Sequence, residues 1–297
     1  MNFINKNKKL MLRLLISVVA ISIIYFSVDF SKFLEHLKLV DLAYAPLVLG
    51  LLILNYIVSS LRWKALLIYK NSEKVGVGYL TCLYFVGSFF NNIMPTSIGG
   101  DAYKVFKLGK KIGSYTNSFS ATFMERFTGV LVLLLISLFS LYWVFGVWTV
   151  LMFIWVGLAL LIGFKVLKVL GGRFKVLKKI YDSLCKYKGK NNVIFWAIMT
   201  SLLVQLIAIS TQYLVFLALG VQLPIMFALF VIPVITLASF FIPSLNGIGV
   251  QDLLYMNIFA FIGVPQELAL SASILYHLSR LLVSLIGGVL LSLGKVD

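Results

Sequence analysis

Cysteine, histidine and acidic residues are scarce in this chain, and each shortage excludes a kind of site. Its 297 residues include two cysteines and two histidines. Cys82 and Cys185 lie in different sequence contexts, so we predict no disulfide framework. His36 and His277 add no metal-ligand spacing, and the sequence holds no nucleophile–base pair and no GxxxxGK phosphate loop. The sequence therefore predicts no metal, no cofactor and no ATP-driven step.

Long polar stretches are also missing. Charged residues make up 12% of the chain and hydrophobic residues 61%, and the mean hydropathy is +1.02. The longest polar stretch, residues 165–192, leaves no room for a soluble domain of ordinary size. Several apolar runs approach the roughly 20 residues that a helix needs to cross a bilayer. These features predict an all-α polytopic membrane protein.

Basic residues outnumber acidic ones, 26 against 10, so the formal net charge is +16. They cluster in particular loops, which is typical of cytoplasmic loops, and we predict that they meet anionic lipid headgroups and not nucleic acid. The largest cluster is the basic connector, residues 166–192, in which Asp182 is the one acidic residue. Apolar residues recur there at helical spacing, which favours a helix lying on the membrane surface; a solvated loop is an equal alternative.

The hydropathy and the loop charges predict about six full spans, with both termini in the cytoplasm. The predicted spans are residues 10–28, 43–61, 118–145, 151–164, 193–219 and 268–293. No A-x-A cleavage site follows Val28, so we interpret the first run as a retained helix and not as a signal peptide. We expect a multi-pass protein of the inner or plasma membrane, with residues 29–41 as an outer loop.

Two stretches rich in proline and glycine interrupt this pattern, residues 94–101 (MPTSIGGD) and 243–252 (PSLNGIGVQD). Proline disfavours helical geometry at the residue before it, and glycine adopts backbone conformations closed to other residues. Such backbone lies at membrane depth only where protein buries it or where it lines a water-filled cavity. We therefore predict two re-entrant hairpins. We also expect Pro233 to break the apolar run 224–242.

The two stretches resemble each other, which predicts an internal repeat. Each has a proline, then a threonine or serine, two glycines and an aspartate, and an arginine follows in a later apolar helix (Arg126 or Arg280). Basic clusters flank the first hairpin, so it enters from the cytoplasm, whereas the second must enter from outside. This opposite sense is typical of inverted-repeat transporters, whose sites lie where broken helices meet. The predicted single membrane domain comprises the first span and outer loop (1–42), repeat one (43–165), the basic connector (166–192) and repeat two (193–297).

Charged and polar residues in and near these broken helices are the candidate binding groups. A charge at the centre of a spanning helix costs about 2.5–3.5 kcal/mol, so we expect each one to have a partner or a water-filled pocket. Because a guanidinium binds phosphate in a bidentate fashion, we interpret the arginines as ligands of a phosphate-bearing headgroup, balanced by the carboxylates. The alternative is a set of buried ion pairs that only lock the bundle. The predicted headgroup cleft comprises Pro95, Thr96, Ser97, Gly99, Gly100, Asp101, Lys104, Glu125, Arg126, Pro243, Ser244, Asn246, Gly247, Gly249, Asp252 and Arg280.

Two further features have simpler interpretations. Arg62 and Trp63 at a helix end are typical of an interfacial anchor. His277 is interpreted as a bundle histidine with satisfied hydrogen bonds, and a proton carrier is the alternative.

These motifs resemble the membrane region of lysylphosphatidylglycerol synthases, a domain that also occurs alone in flippase-like integral membrane proteins. The resemblance rests on residues 94–104 (MPTSIGGDAYK), on the pair Glu125-Arg126 and on residues 242–252 (IPSLNGIGVQD). The family pattern reads P-x-x-x-G-G-D-x-x-R, then E-R, then P-x-x-x-G-x-G-x-x-E. Lys104 therefore replaces an arginine and Asp252 a glutamate. Both keep the charge, but Lys104 lacks the bidentate phosphate geometry.

The resemblance implies a flippase-like transporter that moves a phospholipid or a polyprenyl-phosphate-linked headgroup between leaflets, by downhill or ion-coupled transport. In the two-domain synthases, aminoacyl transfer belongs to a soluble domain, so we expect no lysyltransferase activity from this membrane region. One alternative is an integral-membrane transferase acting on a lipid headgroup, with Asp101, Glu125 or Asp252 as base. The other is a non-transporting partner of a separate synthase or glycosyltransferase. An oligomer is compatible with all three.

Overall fold

The structure, a computed structural model, describes residues 15–16, 18–68, 75–93, 99–242, 244 and 246–295. This part of the chain is helical almost throughout, and a short 3-10 turn, Leu42–Tyr44, precedes the third helix. The prediction of an all-α polytopic membrane protein is confirmed. The helices are α1 (Val18–Ser27), α2 (Phe30–Lys38), α3 (Ala45–Ala65), α4 (Val77–Ile93), α5 (Gly99–Ile112), α6 (Tyr115–Phe145), α7 (Trp148–Gly171), α8 (Lys175–Cys185), α9 (Asn191–Ala218), α10 (Ile225–Phe241), α11 (Val250–Ala260) and α12 (Gln266–Ser292).

Five of these helices (α3, α6, α7, α9 and α12) are long and apolar enough to cross a membrane. They coincide with five of the predicted spans. The remaining span, residues 10–28, lies partly outside the described residues, and its described part is the apolar helix α1. The two Pro/Gly stretches each lie between a pair of shorter helices, α4 and α5 in one half and α10 and α11 in the other.

The segment predicted as an outer loop, residues 29–41, instead contains α2. The Asp29 side chain accepts hydrogen bonds from the backbone N–H groups of Ser31 and Lys32, at 2.9 and 3.3 Å, and so caps the first turn. The apolar residue Phe33 is buried against Met256 and Leu270. An N-cap and one buried apolar face are sufficient to make a short helix of a segment whose charges indicate only a polar connection.

The expected break at Pro233 is also wrong. Helix α10 continues from Ile225 to Phe241 with Pro233 inside it. A proline removes one backbone donor from a helix, but membrane helices tolerate this because neighbouring helices and local adjustments satisfy the freed carbonyl. Residues beside this proline, including Ile232 and Ile235, are fully buried.

The helices of the two halves pack in corresponding pairs. Helix α4 packs against α12, and its counterpart α10 packs against α6, the counterpart of α12. The outer pairs α5–α6 and α11–α12 correspond in the same way, and α3 packs directly against its own counterpart α9. Exchanging the halves therefore reproduces the contact pattern, which is what a pseudo-two-fold axis between two repeats requires.

Glycine lets the backbones approach closely at two helix crossings. A Cβ atom on Gly100 of α5 would lie 1.9 Å from the carbonyl oxygen of Gly87 in α4. A Cβ atom on Gly287 of α12 would lie 2.1 Å from the carbonyl oxygen of Phe85, also in α4. Small residues at interfaces of membrane helices permit such approaches. Helix α4 is thereby held between α5 and α12 with backbones in contact.

The basic connector contains α8, so a helix and not a solvated loop occupies part of it. Just after α8, Tyr187 is buried, and its hydroxyl donates a hydrogen bond of 2.7 Å to the carbonyl oxygen of Leu66 at the end of α3. Burial raises the pKa of Tyr187 above its usual value, so this hydroxyl remains a donor at neutral pH. The connector is therefore attached to the bundle by a specific buried contact.

Candidate functional site

The first part of the site is the junction of α4 and α5. The backbone N–H of Gly100 donates a hydrogen bond of 2.8 Å to Asn91 Oδ1, which satisfies one of the free donors at the start of α5. Gly99 lies beside it in the same first turn. Pro95, Thr96 and Ser97, which were assigned to the headgroup cleft, lie outside the described residues.

Glu125 of α6 is the centre of a buried ion cluster. Its Oε1 atom lies 2.8 Å from Arg62 Nη2 and accepts a short hydrogen bond from the Tyr84 hydroxyl. Its Oε2 atom lies 3.6 Å from Lys104 Nζ. The Glu125 residue is 2% exposed, and Arg62 and Lys104 are also buried. One carboxylate is thus shared by two cations from α3 and α5, so the three helices are joined electrostatically.

Lys104 also contacts a second carboxylate and two aromatic rings. Its Nζ atom lies 3.3 Å from Asp101 Oδ1, one turn earlier in α5. The same atom lies 3.8 Å from the centroid of the Tyr84 ring and 4.9 Å from that of Trp63. A desolvated cation in this position is stabilised by the ring quadrupoles as well as by the carboxylates. The amine therefore has no free face toward a ligand.

Arg126 is the open end of the same network. Its Nη2 and Nε atoms lie 2.7 and 2.9 Å from Asp101 Oδ2, yet 43% of its side chain is exposed. Asp101 is the link, because it also contacts Lys104. The cluster therefore has a buried core around Glu125 and an accessible end at Arg126.

The second half has its own carboxylate site at Asp252, in the first turn of α11. Its Oδ2 atom accepts a hydrogen bond of 2.8 Å from the backbone N–H of Gly249, which caps the helix. Its Oδ1 atom accepts one of 2.5 Å from Ser273 Oγ and lies 3.3 Å from His277 Nε2, both on α12. His277 therefore has a carboxylate neighbour, but its buried Nε2 atom forms no hydrogen bond among the described residues, so the interpretation of a histidine with satisfied hydrogen bonds is not confirmed.

Arg280 contacts the broken segment itself. Its Nη2 atom donates a hydrogen bond of 3.2 Å to Asn246 Oδ1, and its guanidinium carbon lies 5.6 Å from the Tyr276 ring centroid. Asn246, Gly247 and Gly249 all have positive φ angles, 51°, 90° and 83°. Glycine and asparagine tolerate this conformation best, so the sequence PSLNGIG is suited to a non-helical turn here. Ser244 is buried in the same turn, and Pro243 lies outside the described residues.

A pair of asparagines joins the end of α4 to the turn before α11. Asn246 Nδ2 donates a hydrogen bond of 2.5 Å to Asn92 Oδ1, in the last turn of α4. Asn92 Nδ2 in turn donates one of 2.7 Å to Ser284 Oγ on α12. Asn92 therefore connects the turn before α11 to α12.

Sequence reasoning misassigned Arg62 and Trp63. They are not an interfacial anchor, because Arg62 is 5% exposed and Trp63 fully buried, and Arg62 pairs with Glu125. Arg62 Nη1 also donates a hydrogen bond of 3.1 Å to Ser201 Oγ on α9. An intramembrane glutamate is costly without a partner, so Glu125 by itself predicts a nearby cation. It does not identify that cation as Arg62.

Tyr84, Asn91 and Asn92 were also missed. All three lie on α4, whose apolar sequence carries these polar groups at intervals toward its end. Polar side chains within an apolar helix tend to face the bundle interior, which is the signal that could have identified them. Of the carboxylates expected to balance Arg126 and Arg280, Asp101 pairs with Arg126, whereas Asp252 lies beside His277. Glu125 pairs with Arg62 and Lys104.

The fold and the site together define a multi-pass, all-helical membrane protein with clusters of charged groups buried between its helices. The family described as Lysylphosphatidylglycerol synthase TM region matches residues 10–288, which is nearly the whole chain. The chain belongs to this family, as the sequence resemblance predicted. No curated protein and no solved structure matches it.

Proposed function

We propose that this protein moves a lipid with a phosphate-bearing headgroup, either a phospholipid or a polyprenyl-phosphate-linked molecule, between the leaflets of the cell membrane. The headgroup passes through a polar cleft at the two broken helices while the acyl chains remain in lipid. Both Pro/Gly stretches are tips of re-entrant hairpins, entering from opposite sides, and both termini are cytoplasmic. Membership of a family named for lipid modification supports a lipid as the substrate.

The observation that carries this proposal is the matched placement of one arginine in each half. Arg126 bonds to Asp101 at the start of the helix after the first break, and Arg280 bonds to Asn246 inside the second. The asparagine pair Asn92–Asn246 connects the two places. A purely structural role would favour full burial of these cations, but Arg126 is 43% exposed.

Arg126 is the first group that the headgroup phosphate meets. The phosphate competes with Asp101 for the guanidinium, since oxygen atoms of either anion accept hydrogen bonds from the same N–H donors. Asp101 remains neutralised while this happens, because Lys104 lies 3.3 Å from its other oxygen. The buried core around Glu125 holds α3, α5 and α6 in place during the exchange.

A reconstituted leaflet-exchange assay tests this function. Purified protein in liposomes is given fluorescent phosphatidylglycerol, its lysyl ester and a polyprenyl-phosphate glycan, and exchange of one class should exceed that in protein-free liposomes. Arg126→Ala and Arg280→Ala should each slow this exchange by about tenfold or more, because a hydrogen-bonded charge pair is worth about 1.5–3 kcal/mol. Arg126→Lys should recover little, since lysine keeps the charge but loses the bidentate fork.

Arg173→Ala is the matched control, because Arg173 is an exposed arginine of the basic connector. It should leave the exchange rate unchanged. If neither Arg126→Ala nor Arg280→Ala changes the exchange rate, these two arginines do not bind the headgroup in the cleft. No exchange of any lipid class by folded protein would overturn the transport function itself.

A further inference from the structure

Two adjoining cavities lie away from the broken helices, between the start of α6 and the helix α8. Their volumes are about 160 and 200 Å³, and they share Ser120 and Lys186. The first is lined by Leu66, Ile68, Asn117, Ser120, Lys186, Tyr187 and Lys190. The second is lined by Thr116, Ser120, Lys175, Lys178, Lys179, Asp182, Ser183 and Lys186. The proposed headgroup cleft contributes none of these residues.

The lining of these cavities is strongly cationic. In the part of the chain that the structure describes, it contains five lysines against the single carboxylate of Asp182. Among the described residues, Lys175, Lys178, Lys186 and Lys190 form no salt bridge with a carboxylate. A cavity with this excess of positive charge attracts an anion, and more strongly at low ionic strength.

Hydroxyl and amide groups complete the polar lining of the two cavities. Lys186 Nζ donates hydrogen bonds of 2.8 Å to Asn117 Oδ1 and 3.2 Å to Ser120 Oγ. Ser120 Oγ also lies 3.0 Å from Ser183 Oγ, so the two serines join α6 to α8. Burial lowers the pKa of Lys186, which means that its charge lacks full hydration here, and the charge of Asp182 opposes this shift only in part.

Exposed apolar residues lie in and beside α8. Val169, Phe174 and Val176 flank or begin α8 and are more than half exposed. Exposed apolar residues beside a row of lysines are typical of a helix that lies at the lipid headgroup level. Such a surface favours an anion that carries acyl chains.

We propose that these cavities bind the phosphate group of an anionic phospholipid, at a second site that is separate from the headgroup cleft. Lys175, Lys178 and Lys186 contact the phosphate oxygens, and Thr116 binds them by its hydroxyl donor. The lipid joins α8 to α6. Helix α6 also carries Glu125, five residues after Ser120. This inference does not depend on transport activity.

The test measures binding of two phosphate sources to the full-length purified protein. Native mass spectrometry counts bound dioctanoyl phosphatidylglycerol, with dioctanoyl phosphatidylcholine as the zwitterionic comparison, and phosphorus NMR line broadening follows inorganic phosphate. The double variant Lys175→Gln/Lys178→Gln should weaken phosphatidylglycerol binding by about tenfold or more. Both lysines are exposed, so the fold should survive, which an unchanged Tm verifies.

Lys165→Gln/Lys168→Gln is the matched control. These two lysines are exposed near the end of α7, belong to neither cavity lining and change the net charge by the same amount. The control should bind phosphatidylglycerol within about twofold of the parent. Equal losses in both double variants, or no preference for phosphatidylglycerol over phosphatidylcholine, would overturn the site. Inorganic phosphate binding as tightly as the lipid would overturn the lipid assignment and leave a soluble phosphate as the ligand.

Discussion

At the scale of single residues, Glu125 has the most demanding environment among the charged groups described. It is almost fully buried and neutralises Arg62 and Lys104 from two other helices. One carboxylate cannot neutralise two cations, and Asp101 provides the second negative charge beside Lys104. The buried part of the network is balanced in charge only while both carboxylates are ionised.

Glu125→Gln should therefore destabilise the fold. The amide keeps the shape of the side chain but leaves Arg62 without its counter-charge, and breaking a buried pair from one side costs about 3–5 kcal/mol. Thermal unfolding of the detergent-solubilised protein should show a lowered Tm. Glu35→Gln, which removes an exposed carboxylate from α2, should leave the Tm unchanged. Equal Tm values for the two variants would mean that the cluster does not hold the bundle.

At the scale of helices, the contact between α4 and α5 determines where Asp101 and Lys104 lie. Gly87 and Gly100 are the closest points of this contact, and Lys104 passes over Gly87 with its Cγ and Cδ atoms 3.2 Å from a Cβ atom placed there. Any increase in size at Gly100 separates the two helices. The ion cluster on α5 then moves away from Glu125 on α6.

Gly100→Ala should destabilise the protein by about 1–3 kcal/mol or more. The added Cβ atom would overlap backbone atoms, which cannot move aside as the end of a flexible side chain can. The matched control is Gly78→Ala, also near a helix start, where no atom lies within 4 Å of the added Cβ. Alanine at an open helical position should be neutral or slightly stabilising. Thermal unfolding of both variants measures the difference, and a stable Gly100→Ala protein would contradict the close approach.

At the scale of the whole molecule, the helices of the two predicted repeats pack in corresponding pairs, as a pseudo-two-fold axis would require. The contact pattern alone is satisfied by an axis in the membrane plane or along its normal. The charges of the loops favour the first, because basic residues flank the first hairpin on both sides. An inverted arrangement places the loop after α5 and the loop before α10 on opposite sides of the membrane.

Single cysteines should report this arrangement. In a chain with Cys82 and Cys185 replaced by alanine, Lys110→Cys should react with a membrane-impermeant maleimide only from the cytoplasmic side. Gln222→Cys and Phe261→Cys, which precede and follow the second hairpin, should react only from outside. All three positions are exposed. Labelling of Lys110→Cys and Gln222→Cys from the same side would exclude the inverted repeat.

Local properties of the sequence were sufficient to predict the class of fold. Hydropathy and run length each depend on neighbouring residues, so they predicted the long helices. The turn at Asn246, Gly247 and Gly249 was predictable for the same reason, because positive φ angles favour these residue types locally. The family followed from three short motifs in order. The helix α2 was missed although its cap at Asp29 was visible in the sequence.

Only the tertiary structure determined which charges meet. Arg62 and Glu125 lie 63 positions apart in the chain, and Asn92 and Asn246 lie 154 apart. No local pattern indicates which way a side chain at a helix end faces, so Arg62 had the features of an interfacial anchor until α6 was placed beside α3. The pairing of Asp252 with His277 was decided in the same way, because both lie where α11 packs against α12. Burial makes such pairings specific, since a charge removed from water is stable only with its partner.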